Sequence, residues 1–132
     1  MIAAVETADG VFTVDLETEE VLGLEEGATV TREPEPPLSL PLVVTAAAVG
    51  ATVVAVVDRR PPLAVSYDAG RTWSEAGGGL PPGHAIAIDA DNPDRILYAA
   101  RNRLFLSENG GRFWRALAPE LPAIRALELR EA

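Results

Sequence analysis

The chain has 132 residues, 48% of them hydrophobic, and its 20 acidic residues outnumber its basic ones, all arginine, to give a net charge of −9. This length suits one ordinary domain, and the hydrophobic content excludes wholesale disorder. The acidic balance makes the chain a poor candidate for binding nucleic-acid phosphates, and the absence of cysteine excludes disulfides and thiolate metal sites.

The negative charge is concentrated near the N-terminus. Residues 1–40 carry ten acidic residues and one arginine, whereas residues 41–132 carry ten of each sign. A solvated acidic rim that keeps the protein soluble is the expected role of this charge. A docking surface for a basic partner is the alternative.

Residues 1–31 predict three short strands, at 2–6, 10–15 and 20–24. They correspond to the second, third and fourth strands of the repeat described below, so this unit lacks a first strand. The chain start has neither the basic residues nor the apolar stretch of a signal peptide, and a cytoplasmic location is therefore expected.

A proline-rich stretch, residues 32–41, predicts a stiff, extended linker. Residues 38–57, which overlap the end of this linker, are twenty uncharged residues and have the length of a membrane span. Pro41 and Gly50 interrupt them, however, and the repeat divides them into two strands, at 42–48 and 52–57. We therefore expect two buried strands and no contact with a membrane.

Two further units, residues 42–80 and 81–122, each predict a four-stranded antiparallel meander. Beyond the two strands just named, the strands are predicted at 63–66, 71–76, 84–89, 96–100, 104–107 and 113–117. Matching positions in the two units lie 41 residues apart, which is the spacing between Ser66 and Ser107. A period of about 40 residues with one meander per repeat is typical of propeller blades.

A similar eight-residue hairpin sequence occurs in both units, at 66–73 and 107–114, between the third and fourth predicted strands. The first copy has the pattern Ser-x-Asp-x-Gly-x-Thr-Trp and resembles the Asp-box, or BNR repeat, of propellers of the sialidase, photosystem-assembly-factor and sortilin types. The second copy is degenerate, with asparagine in place of the aspartate and phenylalanine in place of the threonine. The resemblance covers residues 42–130, and the first unit has no Asp-box.

The resemblance implies a structural role for the hairpins, away from any catalytic face. A short carboxylate or amide is expected to accept backbone N–H groups, glycine to allow positive φ, and tryptophan to bury its ring against a neighbouring sheet. The candidate structural residues are Ser66, Asp68, Gly70, Thr72, Trp73, Ser107, Asn109, Gly111 and Trp114.

A lone strand is predicted at 124–130, within the last ten residues, 123–132. With the three N-terminal strands and the two meanders, it makes three blades in an all-β chain. Single-chain propellers have about four to eight blades, so three should not close a ring. We expect a six-bladed homodimer in which this strand completes a blade of the partner chain. A nine-bladed trimer and a compact monomer are the alternatives.

No catalytic, cofactor or metal site is assigned from the sequence. Tyr67 lies in a turn and Tyr98 in a strand, while His84 is the single histidine. The acidic stretch 89–94 lacks the glycine and glutamate of a calcium loop. The expected function is a non-catalytic propeller module that binds an unidentified protein partner. The alternative is a glycan-binding protein or a sialidase-like glycoside hydrolase.

Overall fold

A computed structural model describes residues 1–32 and 34–131. Glu33, within the predicted linker, and Ala132, at the end of the predicted last strand unit, lie outside the described residues. The described residues form these strands: β1 (Ile2–Thr7), β2 (Gly10–Asp15), β3 (Glu20–Glu26), β4 (Val43–Val49), β5 (Thr52–Val57), β6 (Leu63–Ser66), β7 (Ser74–Ala76), β8 (Gly83–Ile88), β9 (Ile96–Ala100), β10 (Arg103–Ser107), β11 (Arg115–Glu120) and β12 (Ile124–Arg130).

These strands build three four-stranded antiparallel sheets. We call β12-β1-β2-β3 the first sheet, β4-β5-β6-β7 the second and β8-β9-β10-β11 the third, each in its order of hydrogen bonding. The predicted all-β class and the four-stranded meanders are confirmed. β7 and β11 begin at Ser74 and Arg115, later than expected, because the hairpin turn before each of them extends further along the chain.

The C-terminal strand differs from its expected position. β12 is paired antiparallel with β1 of the same chain, from Ile2 opposite Arg130 to Thr7 opposite Ile124, with one irregularity in register. The first sheet therefore obtains its missing strand from its own C-terminus rather than from a second chain. β12 also packs against β8, the first strand of the third sheet.

The third sheet lies between the other two, since β8 contacts both β12 and β4. Its interface with the first sheet holds one apolar cluster, which includes Val5, Leu97 and Leu127. Its interface with the second sheet holds another, which includes Val54, Ile96 and Tyr98. The order in space is thus first, third, second. Among the described residues, one face of the first sheet and one face of the second have no sheet packed against them.

The connecting segment between β3 and β4, described at residues 27–32 and 34–42, covers parts of both these faces. Ala28 and Val30 pack on the free face of the first sheet, against a cluster containing Ala4 and Val11. Leu38 and Leu40 pack on the free face of the second sheet. One stretch of chain therefore shields apolar surface that an open arc of blades would expose to water.

Glu6 on β1 holds the connecting segment against the first sheet. Its carboxylate, 5% exposed, accepts the Val30 backbone N–H at 3.1 Å and an Arg32 N–H at 2.7 Å. Two exposed contacts add to it: Thr31 N–H donates to Glu128, and the Thr45 hydroxyl donates to Glu35. A buried carboxylate is tolerated because both of its oxygens are hydrogen-bonded.

The expectation of two buried strands between residues 38 and 57 is only partly met. β5 is buried from Val53 onward, but β4 is mostly half-buried and Val44 is 47% exposed. The reason is position, because β4 is the edge strand of its sheet and borders the groove described below. Among the described residues there is no helix with the length and apolar character needed to cross a membrane.

Replacing Glu6 with alanine should lower the free energy of unfolding by about 1–3 kcal/mol, because the buried Val30 N–H then has no partner. Urea unfolding followed by circular dichroism measures this. Glu17→Ala is the matched control: this glutamate is exposed, and its removal should change the free energy by less than about 0.5 kcal/mol. Equal stability of the two variants would contradict the role given to Glu6.

Candidate functional site

The turn between β6 and β7 is organised by a serine and an aspartate. Asp68 accepts the Thr72 backbone N–H at 2.9 Å and also the Thr72 hydroxyl. The Ser66 hydroxyl donates to Asp68 at 2.7 Å and accepts the Gly70 backbone N–H at 2.8 Å. Two short side chains thus bind the polar groups of the turn, so hydrogen bonds rather than apolar packing hold the hairpin closed.

Hydrogen bonds to the charged carboxylate lower the pKa of Asp68 to about 2, from an ordinary value of 3.8, with the Thr72 hydroxyl as the largest cause. The Thr72 N–H and the Ser66 hydroxyl act in the same direction. The carboxylate is therefore ionised over the whole physiological range. It acts as the hydrogen-bond acceptor of the turn.

The second hairpin, between β10 and β11, repeats this geometry with an amide. Asn109 accepts the Phe113 backbone N–H at 3.0 Å, as Asp68 accepts that of Thr72. Ser107 is 3.0 Å from the Asn109 oxygen and accepts the Gly111 N–H at 2.9 Å. Asparagine can replace aspartate here because the turn needs an acceptor oxygen and not a charge.

Positive φ occurs at two neighbouring positions of each hairpin. The second has Gly110 and Gly111 at 75° and 93°, and the first has Ala69 and Gly70 at 61° and 87°. The repeated glycine, Gly70 or Gly111, follows from the sequence pattern. Ala69 does not, because an alanine in the left-handed region carries a steric cost that the surrounding hydrogen bonds must offset.

The two motif tryptophans have different neighbours. Trp114 packs into the cluster between the second and third sheets, edge-on to Tyr98 at 6.1 Å between ring centroids, and its indole N–H donates to Gly111. Trp73 packs on the free face of the second sheet with Leu38 and Leu40. Both rings are only partly buried. Trp73 meets the connecting segment where a neighbouring sheet was expected.

A contact between the two hairpins was not expected from the sequence. The Tyr67 hydroxyl, on the first hairpin, donates to the Gly110 carbonyl of the second at 2.6 Å. The Arg112 guanidinium lies 5.5 Å from the centroid of the Tyr67 ring, which is within cation–π range. Tyr67 therefore ties the second sheet to the third, and nothing in its sequence position distinguishes it from an ordinary turn residue.

The first sheet has a shorter turn at the equivalent place, between β2 and β3. The Asp15 carboxylate accepts backbone N–H groups of Glu17 and Thr18 at 2.8 and 3.1 Å. The Thr18 N–H is the main cause of the lowered pKa of Asp15. The organising side chain is thus an aspartate in the first and second sheets and an asparagine in the third. Of the two aspartates, the sequence pattern identifies only Asp68.

A groove of about 390 Å³ is bordered by β4, β8 and β12, and we call it the inner-strand groove. Each of these is the edge strand of its sheet, so backbone N–H and C=O groups on the groove side have no ladder partner among residues 1–32 and 34–131. The connecting segment forms a further wall, through residues that include Thr31 and Glu35. Small side chains dominate the strands: Ala46, Ala47, Ala48, Ala85, Ala87 and Ala126 all line the groove.

A second depression, of about 470 Å³, is the third-sheet pocket, lined by Pro81, Pro82, Ala100, Arg101, Asn102, Arg103, Phe105 and Glu120. The Arg103 side chain is oriented by donating to the Leu117 carbonyl at 3.0 Å. β10 begins at Arg103 and ends at Ser107. The pocket therefore lies at the end of the third sheet opposite its hairpin motif.

The structure does not bring the two tyrosines and the histidine named in the sequence analysis together in one site. Tyr98 is fully buried and donates its hydroxyl to the Pro81 carbonyl, and burial raises its pKa to about 12. His84 is exposed at the start of β8 and borders the inner-strand groove. Tyr67, in the hairpin contact, is not part of either depression.

The acidic stretch 89–94 forms a turn whose polar side chains are used internally. Asp89 accepts the Asp91 backbone N–H at 2.9 Å and lies 3.5 Å from the Arg95 guanidinium. Asn92 accepts the Asp94 N–H. Within residues 1–32 and 34–131 no group of three or more His, Cys, Asp or Glu side chains is arranged to hold a metal ion.

The fold and these sites define the class of protein as an all-β chain of three blade-like sheets with a shared inner groove. Comparison with known proteins found no matching family model, no matching curated protein and no matching solved structure.

Replacing Asp68 with alanine should lower the melting temperature by several degrees, because the Thr72 and Ser66 groups lose their common acceptor. Asp68→Asn should be closer to wild type, since Asn109 fills this role in the second hairpin. Thermal unfolding monitored by circular dichroism measures both, and a melting temperature unchanged in Asp68→Ala would contradict the structural role.

The same variants have a pH signature. A carboxyl whose pKa is lowered in the folded state stabilises the fold above its unfolded pKa, and this stabilisation is lost as the pH falls through the folded pKa. For Asp68 the window runs from about pH 4 down to about pH 2. The wild-type melting temperature should therefore fall more steeply than that of Asp68→Asn across this window.

Proposed function

We propose that this chain is a non-catalytic module that binds a protein partner, in the manner expected of Asp-box propellers. The observation that carries the proposal is the convergence of three sheet edges, β4, β8 and β12, on one groove. Unpaired backbone groups at such edges can be satisfied by the backbone of an extended segment. A polypeptide is the ligand that this groove suits best.

The connecting segment supports this proposal with a contact inside the molecule. It is held by apolar side chains on the sheet faces and by backbone N–H groups bonded to Glu6 and Glu128. Carboxylate acceptors for backbone N–H groups, together with apolar contacts, can hold the extended segment of a partner in the same way. The sheets thus already hold one irregular stretch of polypeptide, the chain's own.

A displayed library of random twelve-residue peptides tests the proposal. Peptides enriched on the wild-type protein should lose binding to Ala48→Arg, which fills the groove at β4, and to Ala90→Arg, which narrows its end. Ala8→Arg, an exposed turn position outside the groove, is the matched control and should retain binding. Enrichment of no peptide, or of peptides that bind all these variants equally, would contradict binding in the groove.

A glycan-binding or sialidase-like function is the second candidate, and the third-sheet pocket favours it. The pocket combines Arg101, Arg103 and the partly exposed ring of Phe105 at the end opposite the hairpin motif. Guanidinium groups suit a carboxylate, and an aromatic face suits a sugar ring. Turnover of sialosides or aryl glycosides that is lost in Arg101→Ala would replace the first proposal with this one.

Self-association remains part of the proposal, in a form without strand exchange. Two chains supply six blades, within the range of about four to eight that closes in known propellers. In such a ring the free face of the first sheet would pack on the free face of the partner's second sheet. The connecting segment would have to leave both faces, which makes its contacts the competing state.

Light scattering on a sizing column measures the outcome directly. We expect a mass of twice the 13.9 kDa of one chain, with dissociation on dilution, because association must compete with the intramolecular contacts of the connecting segment. A mass of 13.9 kDa at every concentration would show that these contacts prevail and that the module acts as a single chain.

A further inference from the structure

The outer strand of the first sheet, β3, is unlike the outer strands of the other two. All seven of its residues, Glu20–Glu26, are exposed. Three of them are large and apolar: Val21, Leu22 and Leu24 are 44%, 55% and 42% exposed. β3 is also the last strand in the order of its sheet, so within the part of the chain that the structure describes one of its edges has no hydrogen-bonded neighbour.

The other two outer strands show how this fold closes such an edge. β7 has only three residues, and β11 carries Pro119 near its end and buries Leu117. Short length and proline are two of the devices by which proteins prevent pairing at a sheet edge. β3 has seven residues and no proline, and its edge is modified only by a bulge opposite Thr13 and Val14 and by three glutamates, which disfavour pairing with another acidic strand.

The register of β3 separates its apolar and acidic side chains. Val21 is opposite Val14, and Leu24 is opposite Phe12, and these partners belong to the cluster shared with the third sheet. Glu20 is opposite Asp15 and Glu25 is opposite Val11. Because cross-strand partners share a face, the apolar residues continue the face that meets the third sheet, and Glu20 and Glu25 lie on the other face.

We propose that the open edge of β3 binds an extended segment of a partner protein in which apolar and basic residues alternate. Its backbone would continue the ladder beyond β3, as in β-strand addition. Its apolar side chains would lie beside Val21 and Leu24, and its basic side chains beside Glu20 and Glu25. This surface is separate from the inner-strand groove and stands whether or not that groove binds a peptide.

Charge complementarity selects this occupant over a second copy of the chain. Pairing two β3 strands antiparallel would bring glutamates of one copy close to those of the other, and like charges at opposed positions destabilise a sheet. The first 40 residues carry ten acidic residues and one arginine, so the long-range potential around β3 also repels its own copy and attracts a basic segment.

A fluorescent seven-residue peptide that alternates arginine with valine is the probe, with a glutamate–valine peptide as its counterpart. Anisotropy titration should show saturable binding of the arginine peptide that weakens with added salt. Leu24→Lys should weaken it about tenfold, the change that 1.4 kcal/mol of lost contact produces. Ala51→Lys, at an exposed turn of the second sheet between β4 and β5, is the matched control and should change the affinity less than about twofold.

A charge-reversed variant, Glu20→Arg with Glu25→Arg, provides the second measurement. It should lose the arginine peptide and gain the glutamate peptide. Arginine-peptide binding that is equal in wild type and Leu24→Lys would overturn the inference. So would a concentration-dependent dimer abolished by Leu24→Lys, because the edge would then pair two copies. Neither result affects the test of the inner-strand groove, which uses other variants.

Discussion

The constraint on which this structure depends is that three sheets packed side by side leave two faces without a neighbour. The third sheet is covered on both sides, by the first and second sheets. The outer two need another source of cover, and the chain supplies it from the segment between β3 and β4. Glu6 holds the first part of that segment in place, because its carboxylate accepts hydrogen bonds from both Val30 and Arg32. Without this segment, apolar residues such as Val11 and Val57 would lose part of the burial that the fold gives them.

The hairpin motif solves a different problem, that of ending strands at a fixed place. In all three sheets a backbone bond ties the turn after the third strand to the residues that precede the second: Leu16 N–H to Met1, Ala69 N–H to Ala51 and Gly110 N–H to Asp94. Only the second sheet has the full motif, yet the bond is the same in each. The motif is therefore one of several side-chain solutions to a backbone arrangement that the sheets share, which is why the degenerate copy in the third sheet and the motif-free turn of the first sheet both form this bond.

Local features were predictable from the sequence, and relations between sheets were not. Strands such as Thr52–Val57 and Ile96–Ala100 have the predicted bounds, because alternation and turn residues mark them locally. The acceptor at Asp68 followed from the motif in the same way. The partner of β12, the order of the sheets and the cover given by Leu38 and Leu40 depend on which apolar faces meet. No local pattern encodes that choice. For the same reason, the bond from Tyr67 to Gly110 and the inner-strand groove could not be predicted from the sequence.

The chain thus treats its exposed surfaces in two ways, and the difference bears on how it associates. Its free sheet faces are covered by apolar residues of the chain itself, so any partner there must displace contacts that are already made. Among the described residues the outer edge of β3 has no hydrogen-bonded strand beside it, although β3 touches β11, and its large apolar side chains are exposed to solvent. A partner of the kind we propose would replace water rather than protein at that edge. It would therefore meet a lower barrier there than at the sheet faces, which would become available only after the connecting segment had moved.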